Sequence, residues 1–542
     1  MRHVTRRLPV LTALIGATMA IGAAAAGAQD TTLCDPSGGT VCRAIVVTNN
    51  CTDTVWVGTL GNTVPCSETV PCPTANSTCS SNSCTCGDDS DCGASQSCGS
   101  DGYCHFGAPF GGGVALTSTT SETVYLPNDT DPGQSSSWEG RFWARTGCPD
   151  FGSCTQPGGL CSGDADCCTN AGCAGLFTCQ SNSDCSGSNT CIGGTCSCTA
   201  DTDCRDGGKC NNGLCSGACE NGGISCETGD CGTALDCPAG TSGQAPTTLA
   251  EFALLPGDST YDTYDVSQVN GFNVPVSITP SQYADPTPPN GFADAQPWCG
   301  SPGCASATDC PGQAGACSFT SDFASCLCGW GLNEDTCPDP LQAVWPMTCT
   351  SDADCGDSST CDHTTVPATC TCRRDAQCPG DSTCGVNANI NGKKRVCGTY
   401  VGCVSASDAC TADKRLKQTL PGGEPFTCKR FKDAYDCTGN LAGSCYTSGA
   451  SSDCCGCPSW SPGGNTGSFP VTNGCQASNA RWTRVVEPLA EAYKSACPTA
   501  YSFQYDDPTS TFNCSGTGTT TPVQYTVTFC PTGSPGAANS PG

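Results

Sequence analysis

The chain has 542 residues, 56 of them cysteine, with charged residues only 13% of the total and a formal net charge of −28. Cysteine at that level marks a disulfide scaffold and excludes a reducing compartment. The acidity leaves no electrostatic footprint for nucleic acid, and three histidines starve most zinc, haem and Ser-His-Asp chemistries.

Residues 1–28 read as an export signal: Arg2, Arg6 and Arg7, an apolar run from Leu8 to Ile21, then Ala26-Gly27-Ala28. No later stretch is long and apolar enough to span a bilayer. Ala44–Thr48 and Thr54–Val57 follow as short strands around a turn at Asn49-Asn50. Glu122–Leu126, Gly140–Ala144, Leu249–Leu254, Phe272–Ile278 and Gln524–Phe529 have the same alternation, which argues for an antiparallel sandwich. A helix is expected over Ala480–Ala496, kinked at Pro488. The tail, 533–542, reads as disordered.

Between these elements the sequence repeats itself in cysteine. Five blocks share the spacing C-x5-C-x5-C with a fourth cysteine after a variable gap. They open at Cys86, Cys179, Cys198, Cys349 and Cys372, with Cys161-Cys167 and Cys304-Cys310 as degenerate copies. Each block is a small module held by two bridges with almost no core. The inserts that carry them run over 66–104, 155–219, 305–331 and 348–399. Neither zinc spacing nor a calcium loop occurs, so no metal and no cofactor is expected. Acids such as Asp91, Asp184, Asp203 and Asp354, which precede the second cysteine, read as a solvated face. Four N-x-S/T sites stand at Asn50, Asn76, Asn128 and Asn513.

The residues outside the inserts resemble one family. Val47-Thr48-Asn49-Asn50-Cys51-Thr52-Asp53-Thr54-Val55-Trp56, Arg141-Phe142-Trp143-Ala144-Arg145-Thr146-Gly147-Cys148 and Cys226-Glu227-Thr228-Gly229-Asp230-Cys231 come first. Thr248-Leu249-Ala250-Glu251-Phe252, Gly271-Phe272-Asn273-Val274-Pro275, Cys497–Phe503 and Val527–Thr532 follow in order. Together they resemble the thaumatin-like proteins, over a discontinuous domain spanning 42–532. The resemblance implies a mainly β fold: a flattened β-sandwich, a disulfide-rich helical subdomain, and cysteine-rich repeats inserted in loops. It also implies the bridges Cys51–Cys530, Cys148–Cys226, Cys231–Cys237, Cys299–Cys514 and Cys304–Cys497. Pairing within 403–475 stays open, because that stretch has more cysteines than the family pattern.

The family's acidic cleft, carried over by motif, would be lined by Arg141, Glu251, Asp265 and Asp507. Asn270 stands where the family's middle aspartate would be. An amide can bind a sugar hydroxyl but cannot exchange a proton as a carboxyl does. If the cleft were catalytic, Glu251 and Asp265 would carry the two roles of a weak β-1,3-glucan hydrolase. The departure at Asn270 favours binding without turnover. His105 and His363 lie in or beside the inserts and offer no base. The expected protein is thus a secreted or periplasmic monomer that binds β-glucan or a related polysaccharide, or a target cell surface, in a defence or antifungal role. The other reading is a structural or adhesive extracellular protein with a vestigial cleft.

Overall fold

The structure, a computed structural model, describes residues 33–67, 70–93, 96–99, 101–128, 136–148, 226–231, 237–255, 260–283, 298–304, 332–356, 358–365, 368–388, 394–412, 487–503, 506, 510–516 and 521–531. It adds the backbone of two short hairpins, 191–196 and 209–216. The export signal, the insert at 305–331, the rest of 155–219 and the tail lie outside the described residues.

Two sheets make the sandwich. In chain order the strands are β1 (Cys42–Asn49), β2 (Val55–Gly61), β3 (Gly113–Leu116), β4 (Thr120–Pro127), β5 (Trp138–Arg145), β6 (Leu249–Leu254), β7 (Asp262–Ser267) and β8 (Val276–Ser281). After β8 come β9 (Gln342–Pro346), β10 (Thr360–Asp362), β11 (Thr369–Thr371), β12 (Thr383–Asn387) and β13 (Arg395–Cys403). Helices α1 (Ala406–Ala412) and α2 (Glu487–Ala496) precede β14 (Phe512–Cys514) and β15 (Gln524–Phe529). One sheet has the order β8-β15-β1-β4 and the other β14-β7-β6-β5-β2-β3.

The expected strands are present, with two differences. β1 and β2 are not a hairpin: they belong to different sheets, and β1 pairs in parallel with β15. Asn49 makes that departure possible, its amide donating to the carbonyls of Asp53 and Leu116 at 2.8 Å each. The strand expected over Phe272–Ile278 begins only at Val276. Before it, Phe272 bridges to Cys403, Asn273 turns its side chain inward, and Pro275 has no N–H to give. Helix α2 is described over Glu487–Ala496, within the helix expected from the sequence. Residues 480–486 lie outside the described residues.

The core lies between the sheets. Ile45, Val47, Val276, Ile278, Val527 and Phe529 face Phe142, Ala250, Phe252, Leu254, Tyr264 and Val266. Phe252 meets Phe142 edge-on at 6.0 Å and Tyr525 at 5.2 Å. A buried polar knot joins the two layers. Asp262 of β7 pairs with Arg43 of β1, accepts from the Tyr525 hydroxyl of β15 at 2.7 Å, and accepts from the Leu255 N–H at 3.1 Å. Burial pushes the Asp262 carboxyl up, against the pull of Arg43.

Disulfides do elsewhere what core area does in larger domains. Cys51–Cys530 joins the ends of the sandwich, 479 residues apart. Cys148–Cys226, Cys231–Cys237 and Cys299–Cys514 are formed as well. Cys304 and Cys497 are each disulfide-bonded, and their mutual pairing is an expectation of the resemblance alone. In the open region after residue 400, Cys403 pairs with Cys337.

The modules share one design. Bridges run from first to third and from second to fourth cysteine: Cys86–Cys98 with Cys92–Cys104, Cys349–Cys361 with Cys355–Cys370, and Cys372–Cys384 with Cys378–Cys397. A further module, Cys66–Cys79 with Cys72–Cys84, has the same connectivity under a shifted spacing that the sequence search passed over. The acids are not merely a solvated face. Asp89, Asp352 and Asp375 each accept the backbone N–H of the third cysteine, at 2.8, 2.8 and 2.7 Å. Asp91 and Asp354 reach back to cap the turn before the second cysteine, and Gln377 does the same in the last module. The N–H of Thr350 above all holds the Asp354 carboxyl below its usual range. The sulfur trios that lie close together, such as Cys66, Cys72 and Cys84, are all spent in disulfides.

Neither insert hangs free. The first is fused to β2: Val64 N–H bonds the Cys104 carbonyl at 2.7 Å, and the His105 ring bonds Gly61 O at 2.9 Å. The fourth builds a sheet of order β9-β12-β13-β11-β10 with the host chain. Asn128 and Asn513 are buried, so neither can carry a glycan in the folded chain.

Two outcomes follow. Asp262→Asn strips Arg43 of its buried counter-charge and should lower unfolding free energy by ~3–5 kcal/mol in denaturant titration. The double replacement Arg43→Met, Asp262→Leu should recover part of that loss. Asp352→Ala should speed exchange of the Cys361 amide by about tenfold, the worth of one ordinary hydrogen bond, and leave the sandwich amides unchanged.

Candidate functional site

Alternation along a strand sends neighbouring side chains to opposite faces. On β5, β6 and β7 one face holds Phe142, Phe252 and Tyr264, buried in the core. The other holds Arg141, Glu251 and Asp265, all partly exposed. The register sets these three in one row: Glu251 lies directly opposite Arg141 on one side and Asp265 on the other. Arg141 Nη1 stands 3.6 Å from Glu251 Oε1, with the side chains 25% and 31% exposed. Such an exposed pair adds little stability. Arg141 Nε is a buried donor with no acceptor among the described residues.

The row is bounded on the β2 side by Leu60, opposite Arg141, and by a small apolar cluster of Leu60, Trp143, Leu249, Cys231 and Cys237. Trp143 is fixed by its indole N–H donating to Gly229 O at 2.8 Å. The Cys231–Cys237 disulfide thereby packs over one end of the open face. At the other end Glu139 continues the same face of β5, half-buried and opposite Ala253. Burial raises its carboxyl, and the Ser136 hydroxyl donates to it.

Asn270 lies on the turn beyond β7, its carbonyl accepting from Thr247 N–H at 3.3 Å. The turn needs glycine at 271, whose φ is +94° and whose hypothetical Cβ would meet Cys403 O at 2.3 Å. Asp507 lies outside the described residues. Its neighbour Asp506 is buried with Lys494 at 2.7 Å, where the ammonium also donates to Ala500 O and Ser510. That saturated lysine is structural.

Residues picked out by motif prove to share one buried polar cluster. Arg145 pairs with Asp230 at 3.5 Å, and Asn273 donates to Ala144 O and Thr228 Oγ1 at 2.9 and 2.8 Å. Thr146 and Thr228 hydroxyls meet at 2.7 Å. The three motifs at 141–148, 226–231 and 271–275 are therefore conjoined by hydrogen bonding rather than by reactivity. A cavity of about 300 Å³ opens at the Arg145 end of β5, lined by Asp53, Trp56, Thr146, Gly147 and Cys148. It includes none of the row.

The comparisons with known proteins fit this arrangement. The Thaumatin family model matches residues 177–409. An osmotin-like protein of Solanum lycopersicum is 46% identical over 63 residues, 12% of this chain and 25% of the relative. Pathogenesis-related thaumatin-like protein 3.5 of Cryptomeria japonica is 28% identical over 309 residues, 57% of this chain and 63% of the relative. The chain thus spans between a quarter and less than two thirds of these relatives. Among solved structures, the thaumatin-like xylanase inhibitor TLXI matches at 18% identity and a TM-score of 0.17, over 44% of this chain and 78% of that one. A laminaripentaose-producing β-1,3-glucanase in complex with laminaritetraose matches at 11% identity and a TM-score of 0.25, over 90% and 98%. Those scores carry no argument about the site. The chain is thus similar to thaumatin-like proteins over these stretches, with cysteine-rich insertions between them.

Glu227, inside the second motif, is a titratable group the sequence reading passed over. Burial lifts its carboxyl from 4.5 to about 7. The folded chain then keeps a proton that the unfolded chain releases, so stability falls as pH rises from 4.5 to 7 and changes no further above. Glu227→Gln should match wild type at pH 4 and exceed it at pH 8 by up to ~3 kcal/mol, read from denaturant midpoints at the two pH values.

Proposed function

We propose that this chain is an exported carbohydrate-binding protein that takes β-glucan, or a closely related polysaccharide, across the Arg141–Glu251–Asp265 row. The single observation that carries the reading is the row itself. Three partly exposed charged groups stand side by side on a rigid sheet, with a buried Arg141 N–H that has no acceptor among the described residues. Carboxylates and a guanidinium at strand spacing suit the hydroxyls of a sugar chain, which need both acceptors and donors. Rigid strands keep the cost of ordering the site low.

Export is supported by the oxidised cysteines, since such bridges do not persist in a reducing compartment. No helix among the described residues is long and apolar enough to cross a membrane. A pathogenesis-related role in the manner of the Cryptomeria and Solanum relatives extends the same reading to a target cell wall. The competing role is adhesion through the inserts, with the row idle.

Sedimentation with insoluble β-1,3-glucan separates the two. The intact chain should pellet with the polymer, and Glu251→Gln should weaken binding by roughly 10–100-fold, the worth of a hydrogen bond to a charged group. Equal sedimentation of wild type and variant would exclude the row and favour the adhesive role.

A further inference from the structure

The family pattern puts its carboxyls on β6, β7 and the turn after β7, and this chain has an amide at the last of these, Asn270. The open face compensates at the opposite end. Glu139 lies two residues before Arg141 on β5, so it projects from the same face. It stands opposite Ala253, which makes it the diagonal neighbour of Glu251 across the β5–β6 pair. Diagonal neighbours in such a pair are about 7–8 Å apart.

The two carboxyls live in different surroundings. Glu251 is held beside the Arg141 guanidinium and is 31% exposed. Glu139 has no cation partner among the described residues and is reached only by the Ser136 hydroxyl. Its burial favours the protonated form. The charged groups on the strands beside it are Arg141 on its own strand and Glu251 and Asp265 on β6 and β7. Its strand position is fixed from that side too, because Asn62 N–H bonds the Glu139 carbonyl at 2.8 Å. A carboxyl that burial biases toward its protonated form, beside one paired with a guanidinium, is an arrangement that suits glycoside hydrolysis.

We propose that Glu139 is a catalytic residue of the open face, acting as the proton donor to a β-glucan whose attacking water is activated by Glu251. The inference rests on the polysaccharide-binding reading above and adds a reaction to it. Glu139 gives its proton to the glycosidic oxygen as the C–O bond breaks. Glu251 takes a proton from water as the water oxygen bonds to the anomeric carbon. One glycosidic bond and one water become two free ends, and solvent returns the proton from Glu251 to Glu139. Because water rather than a carboxylate attacks, the configuration at the anomeric carbon inverts. The working centre of the sheet then lies toward the first cysteine module rather than toward Asn270.

The test uses the full chain, laminarin as soluble β-1,3-glucan, and the dinitrophenyl glycoside of a short β-1,3-glucan, whose leaving group needs no proton. Glu139→Gln should slow reducing-end release from laminarin by at least ~100-fold. It should change cleavage of the dinitrophenyl glycoside by less than about threefold and leave sedimentation with insoluble glucan intact. The basic limb of the wild-type pH profile should vanish in the variant, and the first product by NMR should be the α-anomer. Glu139→Asp, which keeps a carboxyl, should restore part of the laminarin rate and guards against a folding defect in Glu139→Gln. Wild-type laminarin rates in Glu139→Gln would overturn the assignment, as would glucan binding by wild type with no release at all. In both cases the binding reading stands. Failure of wild type to bind the polymer would remove both.

Discussion

Everything at the open face depends on the register of β5, β6 and β7. A slip of one residue would turn Phe142, Phe252 and Tyr264 to solvent and drive Arg141, Glu251 and Asp265 into the core. The register is held because the apolar set has a second sheet to meet, and because Asp262 must reach Arg43 and Tyr525 across the interface. A buried charge without its partner costs several kcal/mol, so the knot penalises any misalignment of β7 against β1. The same constraint that closes the sandwich therefore aligns the row.

Around that core the chain tolerates large insertions because each insert brings its own closure. Two interleaved bridges in a loop of a dozen or so residues restrict the unfolded chain by a few kcal/mol each. What the bridges leave open, the carboxylates complete: Asp89, Asp352 and Asp375 satisfy the third cysteine's backbone in three of the described modules. The high acid content of the chain thus has a local cause as well as a global one. The inserts join the host by backbone hydrogen bonding, through Asn62 and Phe106 in one case and through β9 and β13 in the other. They are extensions of the framework, placed at opposite ends of the strands that bear the row.

Legibility in the sequence followed range of interaction. The strands at 44–48, 249–254 and 524–529 were readable from alternation, since burial on one face imposes period two. The pairing of Cys51 with Cys530 or Cys299 with Cys514 was readable only through resemblance, as no local pattern spans hundreds of residues. The separation of β1 from β2 was hidden because a short connection looks like a hairpin until the side chain of Asn49 takes up the turn's carbonyls. Glu139 was in plain view: Glu-x-Arg two apart on a strand places both on one face. It went unread because the family pattern offered no reason to look there. Glu227 was hidden differently, since desolvation by neighbours distant in sequence decides its protonation.

By itself the sequence determined a disulfide-held, mainly β chain with thaumatin-like motifs and repeated modules. Those properties depend on composition, period and spacing, which are local. The tertiary structure alone decided which charged groups stand together. It assembled Arg141, Glu251 and Asp265 from three strands far apart in the chain, and left Asn270 on a turn beyond them. It also buried Asp262 and Asp506 among partners that neutralise them. The physical reason is that a carboxyl's role is set by its neighbours and its distance from water, and both are fixed only when the sheets close.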